Sequence, residues 1–593
     1  MGAGLWAAIL LGSASIAQAT ASLDDVCTVS YVKTSLPADD FISGIALDSS
    51  SVTAQPFTNV KIASANFYPD ATIDFCNVTF AYTHSGRNDR VLVNYWLPPP
   101  SKFANRFLAT GGGGYAINSG TTTFGSLPGG VMYGAVAGLT DGGFGSFETQ
   151  VSSVILKENG TINYDALFMF GYEGIHEMTV LGKELTQLFY KTSDTKLYSY
   201  YQGCSEGGRE GMSQLQRYPD QFDGYTIGAP AFRFAFQQVQ HLWAGLQQKN
   251  LDYYPSSCEY SKIMNATIAA CDGLDGKEDG VVGRSDLCKM HFDLDSIVGE
   301  PYSCPANFTI NVEYSPGGGF GFPSFVSIPP QKGKVSQKAV DVMKNTLNGP
   351  HDSKGRRMYF SYQPGAYIDD SATQYNPQTG EWELDVSMLG GEFVTLFLQL
   401  VELDNLPSLN GVTADTLKEW IYQAWWKYED TLQTTWPDLT DLQEAGVKVL
   451  HFHGEQDDSI PSASSVRYYE SVRSIMYPGI SESDSYEKLG EWYKFFLVQG
   501  AAHCSPNVAQ PNGPFPQTNL EVLIDWVEKG NAPTTLEGTI IQGENAGKKQ
   551  DICAWPLRPK WSSNKAENPQ CVHDQQSVDT WLYDLNAFKL PVY

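Results

Sequence analysis

The stretch YSYYQGCSEGGREGM, Tyr198 to Met212, decides the fold. It places Ser205 between glycines in the pattern G-x-S-x-G, after a segment typical of a strand and before a helical one. Glycines relieve steric crowding at a sharp strand-to-helix turn, which would hold the serine hydroxyl exposed at the end of the strand. A turn of this kind predicts a nucleophile on a parallel sheet.

Strand and helix patterns alternate on both sides of this turn. Strands are expected in the segments RVLVNYWLP, RFLATGGGGY, KLYSYYQG, VKVLHFHGEQDDSIP and WYKFFLVQGAAHC. Helices are expected in MFGYEGIHEMTVLGKELTQLFY, REGMSQLQRYPDQF and LEVLIDWVEKG. This order predicts an α/β fold, with a parallel sheet and helices on both of its faces.

The alternation stops after GYTIGAPAF and returns only at VKVLHFHG. Residues 232–446 are rich in proline, glycine and aromatic residues and show little strand alternation. We interpret them as one inserted lid domain. The insertion divides the catalytic domain into a first part, residues 20–231, and a second part, residues 447–593.

The N-terminus, the cysteines and the sequons indicate secretion, and the net charge limits the possible partners. The apolar run in residues 1–19, followed by A-x-A patterns, predicts a cleaved signal peptide. Ten cysteines and four N-glycosylation sequons, at Asn77, Asn159, Asn265 and Asn307, favour a secreted, disulfide-bonded glycoprotein. The net charge of −27, without any dense basic block, argues against a nucleic-acid partner or an anionic membrane surface.

A serine hydroxyl needs a base and an acid to become a nucleophile. His503 follows a late predicted strand, in VQGAAHCSP, and has the position of the base. The preceding strand ends in GEQDDSIP, where both Asp457 and Asp458 are candidates for the acid. The strand histidines His451 and His453 are interpreted as structural residues.

Two further loops carry candidate functional groups. The backbone N–H of Glu206 and that of one glycine among Gly112, Gly113 and Gly114 are expected to form an oxyanion hole, although a flexible glycine turn is the alternative. The loop CDGLDGKEDGVVGRSDLC offers carboxylates and backbone carbonyls that suit calcium, with an acidic surface turn as the alternative. Its candidate ligands are Asp272, Asp275, Asp279 and the carbonyls of Lys277 and Val281. Calcium would be structural.

With these motifs in place, the sequence resembles the tannase and feruloyl esterase family. The family pairs a cysteine before the nucleophilic serine with a cysteine after the catalytic histidine, which Cys204-Ser205 and His503-Cys504 match. The family stretch HGExDxSIP matches HGEQDDSIP, and the loop pattern D-x-x-D-G-x-x-D-G matches the calcium candidate. The similarity covers nearly the whole chain after the signal peptide.

The resemblance implies an α/β-hydrolase fold with a large inserted lid domain and a serine esterase. It implies Ser205 as nucleophile, His503 as base and Asp457, rather than Asp458, as acid. The implied substrates are galloyl esters and depsides of tannins, with no organic cofactor, and the runner-up is a feruloyl or chlorogenate esterase. A non-catalytic, calcium- and polyphenol-binding secreted protein is the alternative outside enzymes.

The resemblance also implies a bridge between Cys204 and Cys504, against the competing interpretation of Cys204 as a reactive thiol. The other expected bridges join Cys27 with Cys76, Cys271 with Cys288 and Cys553 with Cys571, which leaves Cys258 and Cys304 to pair. Fungal members can be cut at a Lys-Arg site in a longer lid loop. The corresponding loop here has only separated lysines, Lys332 and Lys334, so we do not expect this processing.

Overall fold

The computed structural model describes residues 21–120, 127–311, 314–315, 319–320 and 324–593. The expected signal peptide, residues 1–19, lies outside the described residues. Within them, nine strands form a central sheet, and we number these strands alone. They are β1 (Ile45–Ile62), β2 (Ala71–His84), β3 (Val91–Leu97), β4 (Arg106–Thr110), β5 (Ala135–Thr140), β6 (Tyr198–Cys204), β7 (Gly224–Gly228), β8 (Lys448–Gly454) and β9 (Tyr493–Val498).

The sheet is mixed, with the order β1-β2-β3-β5-β4-β6-β7-β8-β9. The pairs β1–β2, β2–β3 and β3–β5 are antiparallel. From β5 to β9 every pair is parallel. The carboxyl ends of the parallel strands therefore meet along one edge, where α/β proteins hold their ligands.

Helices cover both faces of the sheet. Neighbouring strand residues such as Phe107 and Leu108 enter two different apolar cores, because side chains alternate across a strand. The main covering helices are α1 (Leu127–Met132), α2 (Gly174–Tyr190), α3 (Glu206–Arg217), α4 (Ala463–Met476) and α5 (Asn519–Lys529). Apolar residues of α2, α3 and α4 belong to one core, and those of α1 and α5 to the other. The predicted parallel sheet with helices on both faces is confirmed for β4 to β9, but the antiparallel strands β1, β2 and β3 extend it, so the whole sheet is mixed rather than parallel.

Residues 229–447 separate β7 from β8, and we call them the insert. None of its described residues joins the central sheet. Its longer helices are Phe234–Gln240, Trp243–Leu251, Ser257–Cys271, Ser285–His291, Gln337–Asn348 and Ala414–Tyr428. Short hairpins join Pro301–Cys304 to Gln331–Lys334 and Thr373–Asn376 to Glu381–Leu384.

The ten cysteines form five disulfide bonds. The pairs are Cys27–Cys76, Cys204–Cys504, Cys258–Cys304, Cys271–Cys288 and Cys553–Cys571. Two of them lie within the insert, and one joins loops at the carboxyl edge of the sheet across 300 residues of sequence. In the described part of the chain, no helix is both long and apolar enough to cross a membrane.

Candidate active site

Ser205 lies at the turn between β6 and α3 in a strained backbone conformation, with φ 64° and ψ −125°. A non-glycine residue rarely adopts a positive φ, and such strain is found at functional turns. The turn is so tight that a Cβ on Gly203 would lie 2.5 Å from the carbonyl oxygen of Gly207. These glycines therefore let the chain turn sharply and hold the Ser205 hydroxyl at the carboxyl edge of the sheet.

Three side chains from three strand ends meet at this edge. The Nε2 atom of His503, in the loop after β9, lies 2.8 Å from the Oγ atom of Ser205. Its Nδ1 atom lies 2.8 Å from Oδ2 of Asp457, in the loop after β8. An ionised carboxylate only accepts hydrogen bonds, so Nδ1 carries the proton and Nε2 is free to accept one from Ser205.

The two neighbouring aspartates have different partners. The Oδ1 atom of Asp457 accepts hydrogen bonds from the N–H groups of Ser459 and Ile460, at 2.8 and 2.7 Å. Asp458 instead accepts a hydrogen bond from the backbone N–H of His503, at 2.8 Å. Asp457 therefore contacts the imidazole ring, whereas Asp458 holds the loop that carries it.

The charges around His503 adjust its proton affinity. Burial lowers the pKa of His503, but the neighbouring carboxylates, chiefly Asp457, outweigh burial and raise it above the ordinary value. The other two carboxylates are Asp458 and Asp369. Burial would raise the pKa of Asp457, yet His503 and His453 hold it well below its ordinary range. Asp457 therefore stays ionised wherever His503 can act as a base.

The glycine loop after β4 lies against the nucleophile turn. The N–H of Gly207 donates to the carbonyl of Gly112 at 3.0 Å, and the N–H of Gly112 donates to Oε2 of Glu210 at 2.9 Å. The N–H of Gly113 donates to the carbonyl of Ala116 at 3.0 Å and is thus engaged within its own loop. Glu210 was not singled out in the sequence, although it lies in the quoted stretch.

The acidic loop 272–281 is buried in part and is rich in internal hydrogen bonds. The Oδ1 atom of Asp272 accepts from the N–H groups of Asp279, Gly280 and Val281. The Lys277 ammonium lies 3.0 Å from Oδ2 of Asp279. Burial, with the charges of Asp279 and Asp272, raises the pKa of Asp275 to about 7.

The calcium candidate fits this arrangement only in part. Among the described residues, no group of three or more histidine, cysteine, aspartate or glutamate side chains is arranged to hold a metal ion. The carboxylates lie close enough to raise the pKa of Asp275, but the oxygens named above face N–H groups and an ammonium group. The carboxylates and carbonyls of the loop are ligand types that suit a hard cation such as calcium. To bind it through Asp279, the Lys277 ammonium would first have to move away from that carboxylate.

A serine, a histidine and a carboxylate in hydrogen-bonding sequence at the carboxyl edge of parallel strands are the arrangement typical of a serine hydrolase. Comparisons with known proteins place this chain more narrowly. The sequence profile of the family described as Tannase and feruloyl esterase matches residues 76–578, and the chain belongs to that family.

Two kinds of relatives match this chain over most of its length. A tannase from Aspergillus oryzae is 49% identical over 97% of both chains, and a probable feruloyl esterase from Arthroderma benhamiae is 32% identical over 85% of this chain and 87% of its own. Among solved structures, a tannin acyl hydrolase from Aspergillus niger has a TM-score of 0.91 and 55% identity, over 96% of this chain and 99% of that one. Feruloyl esterase B from Aspergillus oryzae has a TM-score of 0.65 and 25% identity, over 90% and 97% respectively.

Proposed function

We propose that this protein is a secreted serine esterase that hydrolyses galloyl ester and depside bonds of tannins and releases gallic acid. The observation that carries the substrate is the match to a tannase and a tannin acyl hydrolase over nearly the whole chain. The observation that supports the mechanism is the hydrogen-bonded sequence Ser205, His503, Asp457.

In this mechanism Ser205 Oγ attacks the acyl carbon while His503 Nε2 takes the hydroxyl proton. Asp457 holds the imidazole and stabilises its cation. His503 then protonates the leaving alcohol oxygen as the ester bond breaks and a galloyl-serine forms. Water attacks this acyl-enzyme with His503 as base again, and gallic acid and free Ser205 result. No organic cofactor takes part.

The oxyanion formed in both steps needs backbone donors. We assign this role to the N–H of Glu206, the residue after the nucleophile, and to the N–H of Gly114. Gly113, the other expected donor, already donates to Ala116, so it would have to exchange that bond. Packing of the glycine loop on the nucleophile turn supports the assignment, because Gly112 and Gly207 are hydrogen-bonded.

We further propose an α/β-hydrolase fold in which residues 232–446 form a lid domain. The insert contacts the loop after β8, which carries Asp457 and which we call the acid loop. Gln237 Nε2 of the insert donates to the carbonyl of Ser459 in this loop, at 2.8 Å. The buried Oε1 atom of Gln237 has no hydrogen-bond partner within the described residues. An unpartnered acceptor beside the catalytic loop suits a phenolic hydroxyl donor.

Secretion and calcium binding belong to the same proposal. Five disulfides suit an oxidising compartment, and the sequon residues Asn159, Asn265 and Asn307 are exposed, whereas Asn77 is half-buried. Calcium in the loop 272–281 would be structural and would neutralise its carboxylates.

Parallel assays with methyl gallate, tannic acid and methyl ferulate test the substrate. We expect the galloyl esters to turn over faster, and faster turnover of ferulate would instead support the feruloyl esterase alternative. A fluorophosphonate should label Ser205 in the wild type and not in Ser205→Ala. Absence of labelling, with activity unchanged in Ser205→Ala, would refute a serine esterase and leave the non-catalytic alternative.

A further inference from the structure

A row of buried polar side chains leads from Asp457 away from Ser205. His453 Nε2, on β8, lies 3.0 Å from Asp457 Oδ2, and its Nδ1 lies 2.7 Å from Ser465 Oγ. Ser465 Oγ lies 2.9 Å from His451 Nε2, and His451 Nδ1 lies 2.9 Å from the Tyr493 hydroxyl. All of these side chains are buried. We call Tyr493, His451, Ser465 and His453 the buried chain.

The chemistry of the partners fixes the direction of each hydrogen bond. His453 Nε2 also lies 3.0 Å from the carbonyl oxygen of Ile460, which only accepts, so Nε2 carries a proton. In a neutral ring Nδ1 then accepts the Ser465 hydroxyl proton, and the Ser465 oxygen must accept from His451 Nε2. The remaining nitrogen of His451 accepts from Tyr493.

The ionisation of the outer members agrees with this direction. Burial, together with His453, lowers the pKa of His451 well below the ordinary histidine value, so the ring is neutral. Burial raises the pKa of Tyr493 well above 10, so the phenol keeps its proton to donate. Every donor in the buried chain therefore points towards Asp457, and hydrogen bonds aligned in this way polarise one another.

At the end of the buried chain, the Asp457 carboxylate accepts three hydrogen bonds and has a fourth N–H group within reach. Two backbone N–H groups donate to Oδ1 and the His503 ring donates to Oδ2. The single Nε2 proton of His453 lies 3.0 Å both from the Ile460 carbonyl oxygen and from Oδ2, and is shared between them. Together these four N–H groups restrict rotation of the carboxylate. We propose that His453, supported by the buried chain, is a positioning residue that fixes Asp457 and moderates the proton affinity of His503. The proposal rests on the catalytic roles of Ser205, His503 and Asp457 given above.

The effect on His503 follows from competition for one oxygen. A second N–H donor on Asp457 Oδ2 draws negative charge away from the bond to His503, so less charge is available to hold a proton on its ring. The other groups that face His503 are the carboxylates of Asp458 and Asp369 and the hydroxyl of Ser205. Both carboxylates raise the pKa of His503. The contact of His453 with Asp457 acts in the opposite direction and lowers the pKa of His503.

A matched pair of variants at His453 tests the proposal. His453→Leu removes the donor, whereas His453→Gln keeps an N–H group near the place of Nε2. The readout is the rate of fluorophosphonate labelling of Ser205 against pH, which does not depend on the natural substrate. For the leucine variant we expect labelling to slow roughly tenfold and the acid limb to move up by about half to one pH unit. The glutamine variant should stay near the wild type in both.

Equal losses in both variants, with the acid limb unmoved, would show that His453 only fills space and would overturn the proposal. Should His453→Leu not fold, Ser465→Ala gives the decisive measurement, because it removes the proton donated to His453 Nδ1. We expect a smaller upward shift of the acid limb there, and an unchanged limb would overturn the proposal. The proposed substrate is tested separately, because a wild type that labels normally but ignores galloyl esters would refute the substrate alone.

Discussion

The disulfide Cys204–Cys504 joins the end of β6 to the loop after β9, and so links the segments that carry Ser205 and His503, which must meet in the proposed mechanism. Cys204 precedes Ser205, Cys504 follows His503, and the two Cα atoms lie 6.1 Å apart. The bond spans 300 residues and crosses the whole insert. We therefore expect the double variant Cys204→Ala, Cys504→Ala to change both the stability and the chemistry of the enzyme.

The two effects differ in size. Opening a loop of this length costs about 6 kcal/mol of stability in the chain-entropy model. A displacement of about 1 Å between nucleophile and base can cost up to about a hundredfold in rate. Other contacts limit that displacement here, because Asp457 and Asp458 hold His503, and Asn66 Nδ2 donates to the carbonyl of Cys504 at 3.1 Å. We therefore expect kcat to fall roughly tenfold.

The assay must separate folded from active molecules. Fluorophosphonate titration counts competent Ser205 sites, so that kcat can be expressed per active site, and thermal melts report stability. The double variant Cys553→Ala, Cys571→Ala is the matched control, because its bond closes only 18 residues in the C-terminal tail. It should lose about 3 kcal/mol of stability and keep its kcat.

An unchanged kcat per active site in the Cys204, Cys504 double variant would refute the reasoning. The bond would then serve stability alone, and the hydrogen bonds to His503 would suffice to align it with Ser205. An equal fall in kcat for the control pair would refute it as well, since the loss would then reflect general loosening of the protein.

Three other perturbations have defined outcomes. Asp458→Asn keeps an acceptor for the N–H of His503 but removes a charge that raises its pKa; the acid limb of kcat/KM should move to lower pH, and an unmoved limb would contradict this. Calcium should raise the melting temperature of the wild type and not of Asp275→Asn, and identical melts with calcium and with a chelator would exclude the site. Glu210→Gln keeps an acceptor for the N–H of Gly112 and should lose less than about threefold in kcat, whereas Glu210→Leu should lose about tenfold. Equal kcat values in the two variants would show that the hydrogen bond from Gly112 to Glu210 does not position the glycine loop.

The parts of the fold that were predicted from the sequence are those with strong local signals. The strands β3, β4, β6, β8 and β9 are apolar runs; β3 ends before three prolines, and the other four end in loops that carry glycine, serine, aspartate or histidine. The strands β1, β2, β5 and β7 were not among the expected strands. Most residues of β1 are exposed or half-buried at the sheet edge, so its apolar signal is weak, and β5 consists largely of small residues.

At the site, the sequence patterns placed Ser205 and His503 but left two neighbouring aspartates open until the family resemblance favoured one. The structure separates them because only Asp457 reaches the ring of His503, while Asp458 reaches its backbone. His453 is a buried strand residue, as interpreted from the sequence, and it also lies 3.0 Å from Asp457. Its contact with Asp457 exists because the loop after β8 folds back along the strand, and no residue spacing predicts that path.

Residues far from β8 and β9 also contact the loop that carries Asp457. Glu455 Oε1 is fully buried and accepts hydrogen bonds from the Arg558 guanidinium, at 2.6 Å, and from Ser285 of the insert. Gln456 donates to the carbonyl of Val282 and accepts from the N–H of Gly500, in the loop of the base.

These two residues directly precede Asp457, so the insert and Arg558, near the C-terminus, both restrain the position of the proposed catalytic acid. A buried carboxylate with one partner removed is costly, and the acid loop would move to relieve that cost. The loop 272–281 ends next to Val282, which places it one hydrogen bond from Gln456. We therefore expect that order in that loop, with or without an ion, restrains the proposed catalytic centre through the backbone of Asp457, so that a change in the loop alters both the stability and the rate.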